Sequence, residues 1–336
     1  LRLAKRLFFW IVFCLAVGLM TGGVAELALR LYGITDPLIY RIDERFGYEP
    51  ERDQEIHRRN LVQIVDDEGF RSTERVCDRA CRRIVFLGDS VTNAGTYTRT
   101  EDTFIELVNR DIRARGWVAK NGGVNGYSVA QMANRYMYSL ESDLDDIVVV
   151  YFINGDWYRP PLKMPLPGFP FYLKKPRCAA WEAIRVFSAL RLGVDWGGGF
   201  RIPASVTGSE ELRGRVGYAR LPHFLDRNME AAAALIDFCQ ERDRHLLFVH
   251  SPALNWDMKP LEPKIVEFLR GRGVDLVDFA EAYGGENPDR LLRDMCHYTP
   301  AGHRVAAELL RRILIPLIEG GSHGGPKGSP PVGASL

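Results

Sequence analysis

Ile84-Val85-Phe86-Leu87-Gly88-Asp89-Ser90 is the stretch from which the rest of the chain can be read. Four apolar residues without alternation make a strand covered on both faces, the pattern of a parallel sheet between helices. Gly88, Asp89 and Ser90 then end the run with a small residue, an acid and a hydroxyl, so the strand delivers Ser90 to its carboxyl end. In open sheets of this kind, loops from neighbouring strands converge at that end and functional sites form there.

Outward from this strand the pattern repeats. Trp117 to Lys120, Ile147 to Phe152, His245 to His250 and Val274 to Asp278 read as further strands. Between them Thr103 to Arg115, Val129 to Leu140, Phe224 to Asp243 and Pro263 to Arg270 carry apolar residues at helical spacing, and Pro300 to Ile318 makes a closing helix. The alternation predicts a three-layer α/β/α domain over residues 84–318 with about five parallel strands. Residues 32–83 are rich in charges and turn formers and read as a stalk or a wrapping segment. A long insertion at 157–222 carries Pro160, Pro161, Pro165, Pro167, Pro170 and Pro176 with several aromatic residues; it reads as a lid or as a passive excursion. Residues 319–336 are mostly Gly, Pro and Ser and are expected to be disordered.

Residues 1–31 contain the one departure from a soluble composition. Leu7 to Ala25 runs 19 residues without a charge, enough to cross roughly 30 Å of hydrocarbon. Arg2, Lys5 and Arg6 precede it, and basic flanks stay on the cytoplasmic side, so an uncleaved anchor would hold the domain outside, periplasmic or extracellular. Two alternatives stand beside the single-pass anchor: a leader cut after Gly23-Val24-Ala25, and a helix buried in the core.

The 44 basic and 43 acidic residues balance to a net charge of +1, which argues against nucleic acid as a partner. Of the six cysteines, Cys14 lies in the apolar run. Cys77 and Cys81 read as a disulfide or two free thiols, and Cys296 as a packing residue or a disulfide partner of Cys178. No His or carboxylate cluster has metal-ligand spacing, so neither metal nor cofactor is expected.

A serine hydroxyl becomes a nucleophile only when a base takes its proton, and a helix starting just after it offers N–H groups to the oxyanion formed by attack. Ser90 has the position for both. Far downstream, Asp294-Met295-Cys296-His297 precedes the closing helix. An acid three residues before a loop histidine can receive one ring N–H while the other nitrogen faces the serine. His303 lies inside the closing helix and reads as structural, His245 and His250 as core or edge residues, and Asp89 as a support of the Ser90 loop.

Gly88-Asp89-Ser90 after a strand, with Asp294 and His297 ahead of the last helix, resembles the SGNH/GDSL hydrolase superfamily from about Arg83 to Ile318. The resemblance implies a flavodoxin-like fold, a catalytic triad of Ser90, His297 and Asp294, and an oxyanion hole built from the Ser90 and Gly126 N–H groups and the Asn154 amide. The third family block departs from Gly-x-Asn-Asp, since the chain reads Phe152-Ile153-Asn154-Gly155-Asp156. Asp156 either stands in for the missing acid or caps the turn. Arg159, Trp157 and Tyr158 follow as substrate-contact candidates.

The expected activity is ester hydrolysis or O-acyl (acetyl) transfer on acyl esters through an acyl-enzyme. The resemblance points to envelope or exported carbohydrate, such as an acetylated glycan, as substrate; no sequence feature indicates a protein partner. A different reading keeps the fold but not the chemistry, as an inactive glycan-binding or assembly protein, and rests on the altered third block.

Overall fold

Strands buried on both faces need a layer of helices on each side, and this requirement organises the molecule. The computed structural model describes residues 2–58, 61–74, 81–165, 171–192, 200–201, 222–251, 261–279, 288–294 and 296–320. In chain order the strands are β1 Tyr40–Asp43, β2 Gly47–Pro50, β3 Gln54–Arg58, β4 Leu61–Val65, β5 Arg71–Ser72, β6 Arg82–Gly88, β7 Trp117–Asn121, β8 Asp145–Phe152, β9 Met164–Pro165, β10 Phe200–Arg201, β11 His245–His250 and β12 Asp275–Asp278. The helices are α1 Arg2–Leu31, α2 Ser90–Asn93, α3 Phe104–Ile112, α4 Val129–Arg135, α5 Ala179–Leu192, α6 Pro222–Glu241, α7 Pro263–Gly271, α8 Pro288–Leu291 and α9 Pro300–Gly320.

The main sheet has the order β12-β11-β8-β6-β7-β5-β4-β3. Its first five strands are parallel neighbours, and they are the five that the sequence pattern predicts. Period-two alternation splits their side chains between two cores. Val85, Leu87, Val148, Val150 and Phe248 pack with Met132, Ala232, Leu235 and Ile265 on one face. Ile84, Phe86, Val149, Tyr151 and Val249 pack with Phe104, Val108, Leu310 and Leu314 on the other. The chain leaves β6 for β7 on one side and returns to β8 on the other, so the strand order reverses at the carboxyl end of β6. That reversal opens the crevice in which such sheets bind their ligands.

The stretch from Tyr40 to Ser72 does more than connect. β3, β4 and β5 extend the sheet in antiparallel fashion, joined to β7 through the pair Arg71 and Asn121. The β1–β2 hairpin packs behind the loop that follows β7: the Tyr48 hydroxyl donates to the Asn125 carbonyl at 2.6 Å, and the Tyr127 hydroxyl donates to the Tyr48 carbonyl. At two to five residues each, these strands are too short to carry a clear periodicity, which is why their pairing is not visible in the sequence.

α1 is long and apolar enough to cross a membrane, and the side chains of its apolar run are uncovered by protein. A core helix is thereby excluded for this segment, leaving the anchor and the leader. Cys178 and Cys296 are free thiols, so the expected pairing between them is not made. Cys178 precedes α5 and lies 3.5 Å from Glu26, whereas Cys296 lies beside His297. Cys77, residues 166–170, 193–199 and 202–221 of the central insertion, and residues 321–336 lie outside the described residues, and with them the expectations of a Cys77–Cys81 bridge, a lid and a disordered tail.

Candidate active site

β6 ends at Gly88 because the chain must turn there in no space. A methyl group on Gly88 would stand 1.9 Å from the Thr92 hydroxyl oxygen and 2.8 Å from the Tyr151 carbonyl oxygen. Asp89 then caps the short α2, its carboxylate accepting the Val91 N–H at 2.8 Å, so Ser90 opens a helical turn at the strand's end. Asp89 thus supports the loop, as its place in the sequence suggests.

The loop after β7 is stitched onto this turn. Asn121 donates through its amide to the Thr92 carbonyl at 2.9 Å, Asn93 to the Gly123 carbonyl at 2.9 Å, and the Val124 N–H to the Gly88 carbonyl at 3.0 Å. Gly123 passes so close to α2 that a Cβ would meet the Asn93 nitrogen at 2.4 Å. Gly126 follows in the left-handed region at φ 77°, which glycine adopts without strain.

From the other end of the chain, a loop between α8 and α9 brings in Asp294 and His297. His297 Nε2 lies 2.8 Å from Ser90 Oγ across 207 residues of sequence, and its Nδ1 lies 2.9 Å from both oxygens of Asp294. The Asp294 carboxylate also accepts the backbone N–H groups of His297 at 3.0 Å and Cys296 at 3.1 Å. Burial works against its charge, but these two backbone donors and the imidazole outweigh it and hold Asp294 below its ordinary pKa. The three residues form one hydrogen-bonded line of hydroxyl, imidazole and carboxylate.

Asn154 begins a short 3₁₀ turn after β8. Its side-chain oxygen is buried without a hydrogen-bond partner. The amide thus keeps hydrogen-bonding capacity unspent, which is what an oxyanion donor needs before substrate arrives. Asp156 settles into the turn-capping alternative: its carboxylate accepts the Ile153 N–H at 3.0 Å.

Arg159 is the residue whose role the sequence does not reveal. It forms ion pairs with Asp156 at 2.6 Å and with Asp89 at 2.9 Å, and donates to the Tyr127 carbonyl at 2.8 Å. One guanidinium thus ties together the Ser90 turn, the Gly126–Tyr127 loop and the Asn154 turn. Burial opposes its charge, yet Asp156 and then Asp89 prevail and hold its pKa above the ordinary value. Lys163 donates to the Gly126 carbonyl from the same buried patch; burial, and then Arg159, push its pKa well below the usual amine value. Of the other candidates beside Asn154, Trp157 is a core residue stacked on Phe248, and Tyr158 bonds Glu262. An arginine three residues after an aspartate is a common surface pair, so spacing alone does not mark a buried clamp.

Tyr97 and Arg293 border the imidazole. The Tyr97 ring meets His297 edge-on at 5.8 Å, and the Arg293 guanidinium lies 4.0 Å from the Tyr97 ring centre. His303, buried in α9, accepts the Phe104 N–H at 3.3 Å and stacks on that ring, a structural role. His250 and His245 pair with Asp278 and Asp275 along β12. Asp294, Cys296 and His297 bring three ligand-type atoms within 4.8 Å of one another. His297 and Asp294 already bond each other, and burial, then Asp89 and Asp294, push the Cys296 thiol up, away from the thiolate that metals take.

No family model matches the sequence, and no curated protein matches it. Solved structures that it resembles include esterases and acylhydrolases, one of them named for the G-D-S-L family. One is a two-domain esterase active on acetylated mannans, at 14% identity and TM-score 0.44 over 75% of this chain and 53% of that one; the chain spans about half the length of that protein. Another is an acetylxylan esterase from Geobacillus stearothermophilus, at 13% identity and TM-score 0.42 over 69% of this chain and 93% of that one. A third, from Desulfitobacterium hafniense, is named for the G-D-S-L family, at 11% identity and TM-score 0.39 over 69% and 98%.

Proposed function

We propose that the chain is a serine-dependent ester hydrolase or O-acyltransferase of the SGNH/GDSL type, working through an acyl-enzyme on Ser90. The observation that carries this reading is the continuous line from Ser90 Oγ through His297 to Asp294, assembled from two distant loops at the carboxyl end of the sheet. A packing role for any one of the three would not require the other two to be aligned with it.

In the proposed reaction Ser90 Oγ attacks the ester carbonyl carbon while its proton passes to His297 Nε2. Asp294 accepts a hydrogen bond from the Nδ1–H, which fixes the tautomer and stabilises the imidazolium. The Ser90 and Gly126 N–H groups and the Asn154 amide receive the oxyanion, and losing one such donor costs about 10²- to 10³-fold in rate. His297 then gives its proton to the leaving alcohol as the C–O bond breaks. Water attacking the acyl-enzyme makes the protein an esterase; a sugar hydroxyl makes it a transferase.

The substrate class we propose is a small acyl ester, with acetyl groups on envelope or exported carbohydrate tested first. It follows from the uncleaved-anchor reading of residues 7–25, with the domain outside the membrane, where such glycans are found. The test uses the full chain in detergent with p-nitrophenyl acetate and a fluorophosphonate label. Ser90→Ala is expected to abolish labelling and lower turnover by at least about 10³-fold. A folded wild type that neither turns over nor labels would replace this reading with the non-catalytic, glycan-binding one.

A further inference from the structure

α5 presents an apolar face to solvent. Trp181, Ile184, Phe187 and Leu190 follow one another at intervals of three along it and are 53, 55, 60 and 65% exposed. Glu182 is buried on the opposite side, where it bonds Tyr172 and pairs with Arg185. The four sweep about half of the circumference of a helix about 21 Å long, and large apolar side chains over its whole outward half are costly to leave in water.

The position of α5 indicates what covers this face. Glu26 is the first charged residue after the uncharged run Leu7–Ala25, which spans about 28 Å as a helix and so matches the hydrocarbon thickness. Its carboxylate accepts the N–H groups of Ala179 at 2.9 Å and Ala180 at 2.8 Å, the first two residues of α5. Arg30, one turn further on, pairs with Glu26 at 2.7 Å and donates to the Arg177 carbonyl. The start of α5 is therefore locked to α1 at the level where that helix would leave the bilayer.

The charge around the face is one-sided. In 171–192 the only acid is the buried Glu182, whereas Lys174, Lys175, Arg177 and Arg191 are exposed. Tryptophan beside basic residues, on a helix with an apolar face, is the composition of a segment lying in the headgroup region.

We infer that α5 is an interfacial helix that lies in the outer leaflet beside α1, with Trp181, Ile184, Phe187 and Leu190 in the acyl boundary and the basic residues on anionic headgroups. Two attachments then fix the domain's orientation on the bilayer, where α1 alone would leave it free to swivel. The inference rests on α1 being a retained anchor.

The full chain is reconstituted in phosphatidylethanolamine–phosphatidylglycerol vesicles containing a phospholipid with a diazirine high in its acyl chain, irradiated, and mapped by peptide mass spectrometry. Label is expected on α5 as well as on Leu7–Ala25, and less of it on α5 in phosphatidylcholine vesicles. The variant Trp181→Ser/Ile184→Ser/Phe187→Ser is expected to lose the α5 label while keeping the α1 label and its turnover of p-nitrophenyl acetate in detergent. Label on α1 alone overturns the inference and leaves the anchor standing; label on neither overturns both. Persistence of the α5 label in the triple variant, or cross-linking of α5 to a second copy in place of lipid, also overturns it.

Discussion

The two loops that meet at the candidate site are held in opposite ways. Around Ser90 the chain is locked: Asp89 is buried, Gly88 and Gly123 leave no room for a methyl group, and Arg159 clamps three turns from within. Around His297 the loop is held by its own backbone and by a tie to the sheet, the buried Tyr298 hydroxyl bonded to Tyr151 and Ser251. Asp294 is 45% exposed in its side chain, and the loop closes on itself through the Leu292–Tyr298 bridge and the Arg293 N–H to His297 carbonyl bond at 2.9 Å. A nucleophile and its oxyanion donors act best when they need no rearrangement at the moment of reaction. A general base has to serve first the nucleophile and then the leaving group, so its loop can be tied mainly to itself.

The comparison is broken most decisively at Asp294. Asp294→Asn should lower kcat on the order of 10⁴-fold, as expected when the imidazole loses its orienting acid, with Tm almost unchanged because the side chain is half exposed. Steady-state kinetics beside a thermal melt read both, and retained activity would mean that Asp294 does not orient the base.

On the locked side the loss should appear in stability as well. Arg159→Met removes the cation between two buried carboxylates and should cost about 3–5 kcal/mol of folding free energy along with activity. Urea unfolding measures the first. A variant that melts like wild type but fails to turn over would move Arg159 from clamp to substrate contact.

Acid tests the support beneath the base. Burial, and then Arg71, push the His303 pKa down to about 3 from an ordinary 6.5. Between those values the unfolded chain binds a proton that the folded chain refuses, so this residue's contribution to stability is complete above pH 6.5 and is lost as pH falls toward 3. From pH 6 to pH 4 the loss is about 2–3 kcal/mol. His303→Gln should flatten that part of the stability–pH curve; an unchanged slope would place the acid sensitivity elsewhere.

The smallest effect is expected at the rim. Arg293→Ala removes a cation from the Tyr97 ring and should change kcat/KM by about 2- to 5-fold, in keeping with an exposed cation–π contact. A larger fall would make Arg293 a substrate-binding group.

The parallel strands were legible because two-sided burial leaves unbroken apolar runs such as Ile147 to Phe152, and the helices because α3 and α7 repeat their apolar positions at helical spacing. β3 to β5 were not legible: they are two to five residues long, and their one link to the parallel strands, Arg71 with Asn121, spans 50 residues of sequence. Trp157 and Arg159 both follow the candidate Asn154 block within three residues, yet one fills the core and the other clamps the site. Burial depends on what packs from elsewhere in the chain, so local pattern cannot tell them apart.

By itself the sequence determined the elements whose cause is local: the strand ending at Gly88-Asp89-Ser90, the uncharged run Leu7–Ala25, and the acid and histidine ahead of the last helix. The tertiary structure alone decided that His297 meets Ser90 across 207 residues, that Arg159 joins three turns, and that Glu26 seats α5 beside α1. Periodicity and capping act over a few residues and leave their mark in the local sequence. Ion pairs and hydrogen bonds between distant segments depend on how the whole chain closes, which no short stretch encodes.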